Sequence, residues 1–319
     1  MEYVKLGWTD IKISKIGLGT WQFSAAWGVT EYGRAKAIIA KAYEVGINFF
    51  DTAMVYGRGM SEEFLGKALK ELSIKRDEVV IATKIPGEYL SPDDVFKSVE
   101  RSLKRLGVEY VDLMQIHWPP CWHHHPTCKY ARALERLVYH GKIRYVGVSN
   151  YPVELVEELR SCFSTIDIVS MQYRYNLVER QAEIELIPYA EANDLTFFAW
   201  SPIAKGALTG KYSIENLPRF NDVRGEDPLF HPENFRQIQP VIELLKRLGA
   251  KYGKKPVQVA LNWIMSYSPV IVPIPGAKSP QQVEENAKSV EWRLSYEDWR
   301  SLDELSRKVR ISYAIWYLE

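Results

Sequence analysis

The chain has 319 residues, 46% of them hydrophobic and 25% charged, and its 41 Lys and Arg against 40 Asp and Glu leave a net charge of +1. This balance excludes intrinsic disorder, collagen-like repeats and small disulfide-stapled scaffolds, and the interspersed signs offer no basic face to nucleic acid or to an anionic membrane. No apolar run reaches the roughly 18 residues that span a bilayer, and Met1-Glu2-Tyr3-Val4-Lys5 lacks the apolar core of a signal peptide, so a cytoplasmic protein is expected. Cys121, Cys128 and Cys162 form an odd, sparse set that suits a reducing compartment better than a disulfide framework.

Up to Ile13 the chain alternates apolar and polar residues around Gly7-Trp8-Thr9-Asp10, which predicts a small hairpin. Beyond it, short runs rich in Val, Ile and Phe alternate with stretches of helical periodicity, the pattern of βαβ units and a parallel sheet. The expected strands are Lys15–Gly19, Asn48–Asp51, Val79–Thr83, Val111–Ile116, Tyr145–Val148, Val169–Gln172, Thr196–Ala199 and Val270–Pro273. Helices expected between them include Arg34–Val45, Glu62–Glu71, Pro92–Arg105, Pro152–Arg160, Glu183–Ala192 and Pro256–Ser266, many of them capped by Ser, Thr or Asn or opened by Pro. Eight such units are the count for a closed (β/α)8 barrel, the TIM barrel. A doubly wound sheet alternates in the same way, but Gly17-Leu18-Gly19-Thr20-Trp21-Gln22 is not a Gly-rich phosphate turn that opens a helix. The expectation is therefore a barrel over 1–319 as one domain. Residues 118–130, 203–235 and the tail from Tyr296 to Glu319 exceed what an ideal barrel needs, and long loops at its C-terminal face tend to carry function.

In a parallel barrel, polar residues at the C-terminal strand ends converge on one face. Asp51, Lys84, His117, the pair Ser149 and Asn150, Gln172 and Ser201 stand at the ends of expected strands two to seven in turn. A single polar residue at a barrel rim is ordinary, whereas this succession has the look of a built site. Tyr56, five positions after Asp51, falls on the loop over the barrel mouth. A phenol with its ordinary pKa of about 10 is a poor acid at neutral pH, so Lys84 is expected to lower it, with Asp51 as counter-ion to Lys84 and His117 orienting the reacting oxygen. Such a group suits proton transfer to a developing alkoxide.

The run Asp51-Thr52-Ala53-Met54-Val55-Tyr56-Gly57-Arg58-Gly59-Met60-Ser61-Glu62, continued by Leu65-Gly66-Lys67-Ala68-Leu69, resembles the aldo-keto reductase signature. The likeness extends through Ile81-Ala82-Thr83-Lys84, Asp112-Leu113-Met114-Gln115-Ile116-His117, the stretch from Gly141 to Asn150, the stretch from Trp200 to Tyr212, and Ile274-Pro275-Gly276-Ala277-Lys278-Ser279 with the residues up to Asn286. It implies a catalytic tetrad of Asp51, Tyr56, Lys84 and His117, with Tyr56 as general acid in the reduction of a small carbonyl compound by NADPH. It also implies that Ser149, Asn150 and Gln172 hold the nicotinamide carboxamide, that Trp200 stacks on the ring, and that Thr20 and Trp21 join the cofactor site. Ser201, Ile203, Gly206, Leu208 and Lys211 are placed by it along the pyrophosphate; Trp21 and Trp118, which fall just after expected strand ends, are candidates for contact with the substrate. The residue types suit these tasks: amide groups meet complementary donors and acceptors, and a pyrophosphate favours close backbone N–H groups plus a cation.

The last motif departs from the family pattern. Many members carry Lys where Gly276 stands and Arg where Gln282 stands, both associated with the 2′-phosphate of NADP; here Lys278 is the remaining nearby cation. Ser279, Gln282 and Asn286 are expected to complete an adenosine site, with Glu285 accepting from the adenine amine, and NADP(H) is the expected cofactor. Cys121-Trp122-His123-His124-His125-Pro126-Thr127-Cys128 is dense in soft ligands, but its spacing matches no usual zinc pattern and three adjacent His do not converge, so it reads as a substrate-facing loop without metal. Trp27 and Trp122 are candidates for the aromatic wall of the mouth. A monomer is expected. Two rivals remain: a slow redox-sensing module like the reductase-like β subunits of potassium channels, against which stands the lack of a segment ahead of the first hairpin, and NAD-linked alcohol oxidation by the same groups.

Overall fold

The computed structural model describes residues 1–313, so the end of the expected tail, 314–319, lies outside the described residues. β1 (Tyr3–Lys5) and β2 (Lys12–Ser14) form the expected antiparallel hairpin. After it come β3 (Leu18–Gly19), α1 (Tyr32–Glu44), β4 (Phe49–Asp51), α2 (Met60–Glu71), β5 (Val80–Ile85), α3 (Pro92–Leu106), β6 (Val111–Ile116), α4 (Thr127–Tyr139) and β7 (Ile143–Ser149). The second half holds α5 (Val153–Cys162), β8 (Ile168–Arg174), α6 (Leu186–Ala192), β9 (Thr196–Trp200), α7 (Pro232–Tyr252), α8 (Pro256–Tyr267), β10 (Ile271–Pro273), α9 (Pro280–Ala287) and α10 (Tyr296–Ser306).

Strands β3 to β10 pair in parallel and in chain order. The first and last are joined as well, Gly17 N–H donating to Pro273 O at 2.9 Å and Gly19 N–H to Pro275 O at 3.2 Å, so the sheet closes into the (β/α)8 barrel. Each expected strand is present. The first is shortened to two residues, because the Lys15 N–H is taken by Glu2 O of the hairpin segment.

Three stretches expected to be long loops contain helix. The loop after β6 ends where α4 begins at Thr127, the loop after β9 ends at Pro232 in the first turn of α7, and Ser295 caps α10 in the tail by accepting from the Asp298 N–H. Proline in a first helical turn lacks only an N–H that would be unpaired anyway, and a serine cap supplies the missing acceptor. The cysteines also depart from expectation. Cys128 and Cys162 are paired across α4 and α5, with Cα atoms 4.8 Å apart, and Cys121 alone is free. Their 34-residue separation hides a proximity that only the packing of neighbouring helices creates.

Two apolar layers position the site. The larger lies between helices and strands, and the smaller fills the barrel with Phe49, Leu113, Phe198 and Val272, the rings of Phe49 and Phe198 stacking at 4.5 Å. Leu6 and Ile13 of the hairpin belong to this inner layer and close its lower end. Strand alternation then puts Asp51, Lys84, Gln115 and His117 on the same inward face, beyond the apolar plug. No helix of the described residues is long and apolar enough to cross a membrane.

Candidate active site

Strand β4 delivers Asp51, and the chain then turns back through a 3-10 segment, Tyr56–Gly59, with Gly57 and Arg58 at φ of 59° and 56°. Left-handed backbone folds this loop tightly enough to place Tyr56 above the strand ends. Lys84 Nζ, from β5, donates to Asp51 Oδ1 at 2.6 Å, to Thr52 O at 2.9 Å and to Tyr56 Oη at 3.3 Å. The His117 ring stands edge-on to Tyr56 with centroids 5.7 Å apart. Lys84 is fully buried and Asp51 almost so.

Burial decides the charge states. It pushes the Tyr56 phenol above its ordinary value, and the pull of Lys84 in the other direction does not reverse this. The expectation that Lys84 leaves the phenol lowered is thus corrected: the ammonium acts as expected, but burial of the phenol is the larger effect. Burial also opposes the Lys84 ammonium, yet Asp51 and Tyr56 outweigh it and hold the amine above its usual range. For His117, burial and then the Lys84 charge both hold the imidazole well below 6.5, and Nδ1 is buried without a partner. The result is a neutral imidazole and a protonated phenol beside a fixed cation. Gln115, which the sequence reading passed over, is fully buried and donates to Asp51 Oδ2 at 3.2 Å. Its position two before His117 on the same strand face was the available signal.

Above these groups opens a cleft of about 710 Å³. Asp51, Tyr56, His117, Trp21 and Trp118 line one end; Ser149, Asn150, Gln172, Trp200, Ser201, Ile203, Gly206 and Lys211 line its course; Gly276, Lys278, Gln282, Glu285 and Asn286 lie along the same wall. Four of the expected catalytic and cofactor residues do not line it. Lys84 lies behind Asp51 and Tyr56; Thr20 is buried with its hydroxyl on Asp51 O; Leu208 is buried in the helix-facing core; Ser279 caps α9 by accepting from the Gln282 N–H.

The Aldo/keto reductase family model matches residues 15–307. The chain belongs to the aldo/keto reductase family. It is 34% identical to the aldo-keto reductase YhdN of Bacillus subtilis, over 95% of this chain and 93% of that one. It is 32% identical to the NADH-specific methylglyoxal reductase of Escherichia coli, over 96% of this chain and 98% of the other. Among solved structures, the glycerol dehydrogenase AKR11B4 of Gluconobacter oxydans aligns with a TM-score of 0.86 at 32% identity, covering 98% of each chain.

The geometry of this aldo/keto reductase also accounts for its departures from the family pattern. A Cβ on Gly276 would lie 1.8 Å from Gln22 Oε1, so Gln22 fills the space that a lysine there would need. Lys278 is not the sole cation of its end. Its Nζ is 3.7 Å from Asp222, whose carboxylate also takes two bonds from Arg224 at 2.8 and 2.6 Å, and both cations lie over Trp27, at 5.0 and 5.6 Å. Asp222 and Arg224 sit in the long segment after β9, where no local periodicity marks them. Glu285, expected to be free for an adenine amine, is paired with Lys255. Asn150 likewise has internal partners, donating to His117 O at 3.0 Å and accepting from Trp200 Nε1 at 3.2 Å. Trp21 stacks on Tyr56 at 6.1 Å and meets Trp27 edge-on at 5.5 Å, whereas Trp122 is 84% exposed and lines no part of the cleft.

Proposed function

We propose that this chain reduces aldehydes or ketones to alcohols, with NADPH as the hydride source and Tyr56 as the general acid. The observation that carries this reading is the contact of Tyr56 Oη with the Lys84 ammonium, itself bound to Asp51, on the floor of the cleft. The phenol keeps its proton at neutral pH and is within reach of a carbonyl oxygen entering beside His117. As the proton leaves, the phenolate forms against a cation already in place, which favours the transfer without reorganisation. Neutral His117 offers the reacting oxygen a hydrogen bond while bringing no charge of its own.

The residues of the cleft fit a nicotinamide dinucleotide. Ser149 and Gln172 present hydroxyl and amide groups suited to a carboxamide, and Trp200 presents a flat face, its indole fixed by Asn150. Gly206, at φ 98°, leaves its backbone open to close approach, and Lys211 supplies charge nearby. When bound, such a cofactor supplies hydride from its nicotinamide ring. Lys278 and Arg224 support NADPH as the form used. A specific observation favours the second reading, NADH: Asp222 sits between those two cations, and the Escherichia coli relative is named for NADH. A monomer is the proposed state. A cytoplasmic setting rests on the sequence grounds above, and the Cys128–Cys162 pair is the observation against it.

Multiple-turnover assays on a panel of aldehydes and α-keto esters, with NADPH and with NADH, test the proposal. Tyr56→Phe is expected to lower kcat by about 10²–10⁴-fold while cofactor affinity stays near wild type. A fall of less than about threefold rejects Tyr56 as the acid, since general acid catalysis is worth far more. A single turnover with tight nucleotide retention would favour the redox-sensing module instead.

A further inference from the structure

Asp51 accepts on both carboxylate oxygens, and the donors to the second come from strands that are not neighbours. Gln115 on β6 and Gln172 on β8 reach Asp51 Oδ2 at 3.2 and 2.9 Å. They also reach each other, Gln172 Nε2 donating to Gln115 Oε1 at 3.2 Å. Strand β7 runs between them and places Gly147 beside Gln115 in the register. A Cβ there would lie 2.3 Å from Ser170 Oγ and 3.3 Å from Gln115 Cγ, so the missing side chain is what lets the two amides meet across a strand.

The chemistry of the three groups fixes the way each amide faces. Asp51, paired with the Lys84 ammonium, only accepts. Gln115 therefore turns its nitrogen to Asp51 and its oxygen to Gln172. Gln172 in turn engages both N–H bonds of its amide, one on Asp51 and one on Gln115. Its Oε1 has no donor among the described residues and is the atom left for the cleft that Gln172 lines.

We propose that Gln115 is a positioning residue: with Asp51 it locks the Gln172 amide with its oxygen toward the cleft, so that this end takes an uncharged carboxamide and rejects a carboxylate. The inference rests on the reading of the cleft as a nicotinamide nucleotide site. A carboxamide offers an N–H to the waiting acceptor. A carboxylate meets lone pairs there, with the Asp51 charge behind them, and a polar site built for a donor discriminates strongly against a ligand that lacks it.

The probes are NADP or NAD, whichever the wild type binds more tightly, and the nicotinic acid counterpart of the same dinucleotide, each titrated against tryptophan fluorescence. Wild type is expected to hold the amide form at least about tenfold more tightly than the acid form. Gln115→Met strands one Gln172 N–H without an acceptor and releases it toward the cleft, so the ratio is expected to fall by about threefold or more. Gln115→Glu, carrying on one oxygen the proton that Asp51 accepts, keeps its other oxygen where Gln172 donates and is expected to keep the ratio. A purely structural role would weaken both ligands equally in Gln115→Met; that result, or a wild-type ratio near one, overturns the proposal. Should Gln115→Met fail to fold, Gln115→Leu removes the same polar atoms with a different shape, and the wild-type ratio still decides. Wild type binding neither dinucleotide overturns the cofactor reading itself, which separates the two failures.

Discussion

Tyr56 is where two opposing effects meet: a desolvated setting that keeps its proton on and an ammonium 3.3 Å away that welcomes the phenolate. Burial wins at rest, so reduction is expected to persist into alkaline solution and to fail as pH rises through the phenol's raised value. In Lys84→Met the opposing pull is gone. The alkaline limb of the pH–rate profile should move further up while the rate drops, because the phenolate then forms with no counter-charge. An unmoved limb at near wild-type rate would show the two groups uncoupled. Asp51→Asn tests the other side of the pair. Lys84 is fully buried, so loss of its partner leaves an unmatched charge in a dry site, and a destabilisation of about 3–5 kcal/mol by urea titration is expected. A change under about 1 kcal/mol would mean that water reaches Lys84 after all.

At the scale of elements, the barrel strands fix the chemistry and the segment after β9 fixes the far end of the cleft. That segment brings Asp222 and Arg224 against Lys278 and Trp27, and its backbone also touches the early loop through Val223 N–H to Ala26 O at 3.5 Å. If these cations read a 2′-phosphate, Lys278→Ala and Arg224→Ala should each weaken NADPH and leave NADH nearly unchanged. A charged hydrogen bond contributes about 1.5–3 kcal/mol, or roughly ten- to over a hundredfold in Kd. Sharing with Asp222 and exposure to salt place the effect at the low end. Paired fluorescence titrations measure it. Equal loss for both cofactors would assign the two residues to holding the loop rather than to reading the phosphate.

At the scale of the whole molecule, the hairpin and the barrel meet at Lys15, whose ammonium is buried and donates to Pro269 O at 2.7 Å. Burial brings its pKa down from 10.5 to about 8, with Glu2 opposing. Below about 8 the folded and unfolded chains both carry the proton and the cost of burying it is present in full. Between about 8 and 10.5 the unfolded chain holds a proton that the folded chain has lost, so stability rises with pH across that window. The rise attributable to Lys15 is at most roughly 3 kcal/mol, and Lys15→Met should remove it. Denaturant titrations of both proteins below and above the window give the comparison, and parallel pH dependence would clear Lys15 of any part.

The order of the strands, the hairpin and the inward set Asp51, Lys84 and His117 were legible in the sequence, because strand alternation and the convergence of parallel strand ends are local rules with a global result. Tyr56 was legible by its place just beyond Asp51. Tertiary structure alone decided the sign of the Tyr56 shift, since burial is a property of everything packed around a group. It decided the Cys128–Cys162 pair, the meeting of Gln115 with Gln172 across Gly147, and the Asp222–Arg224–Lys278 cluster, each of which joins residues far apart in the chain. It also withdrew Thr20, Leu208 and Ser279 from the cleft wall, turning them to a buried hydrogen bond, a core contact and a helix cap. Periodicity says which face of an element turns inward; which atoms then meet is set by the closure of the barrel and the course of its loops.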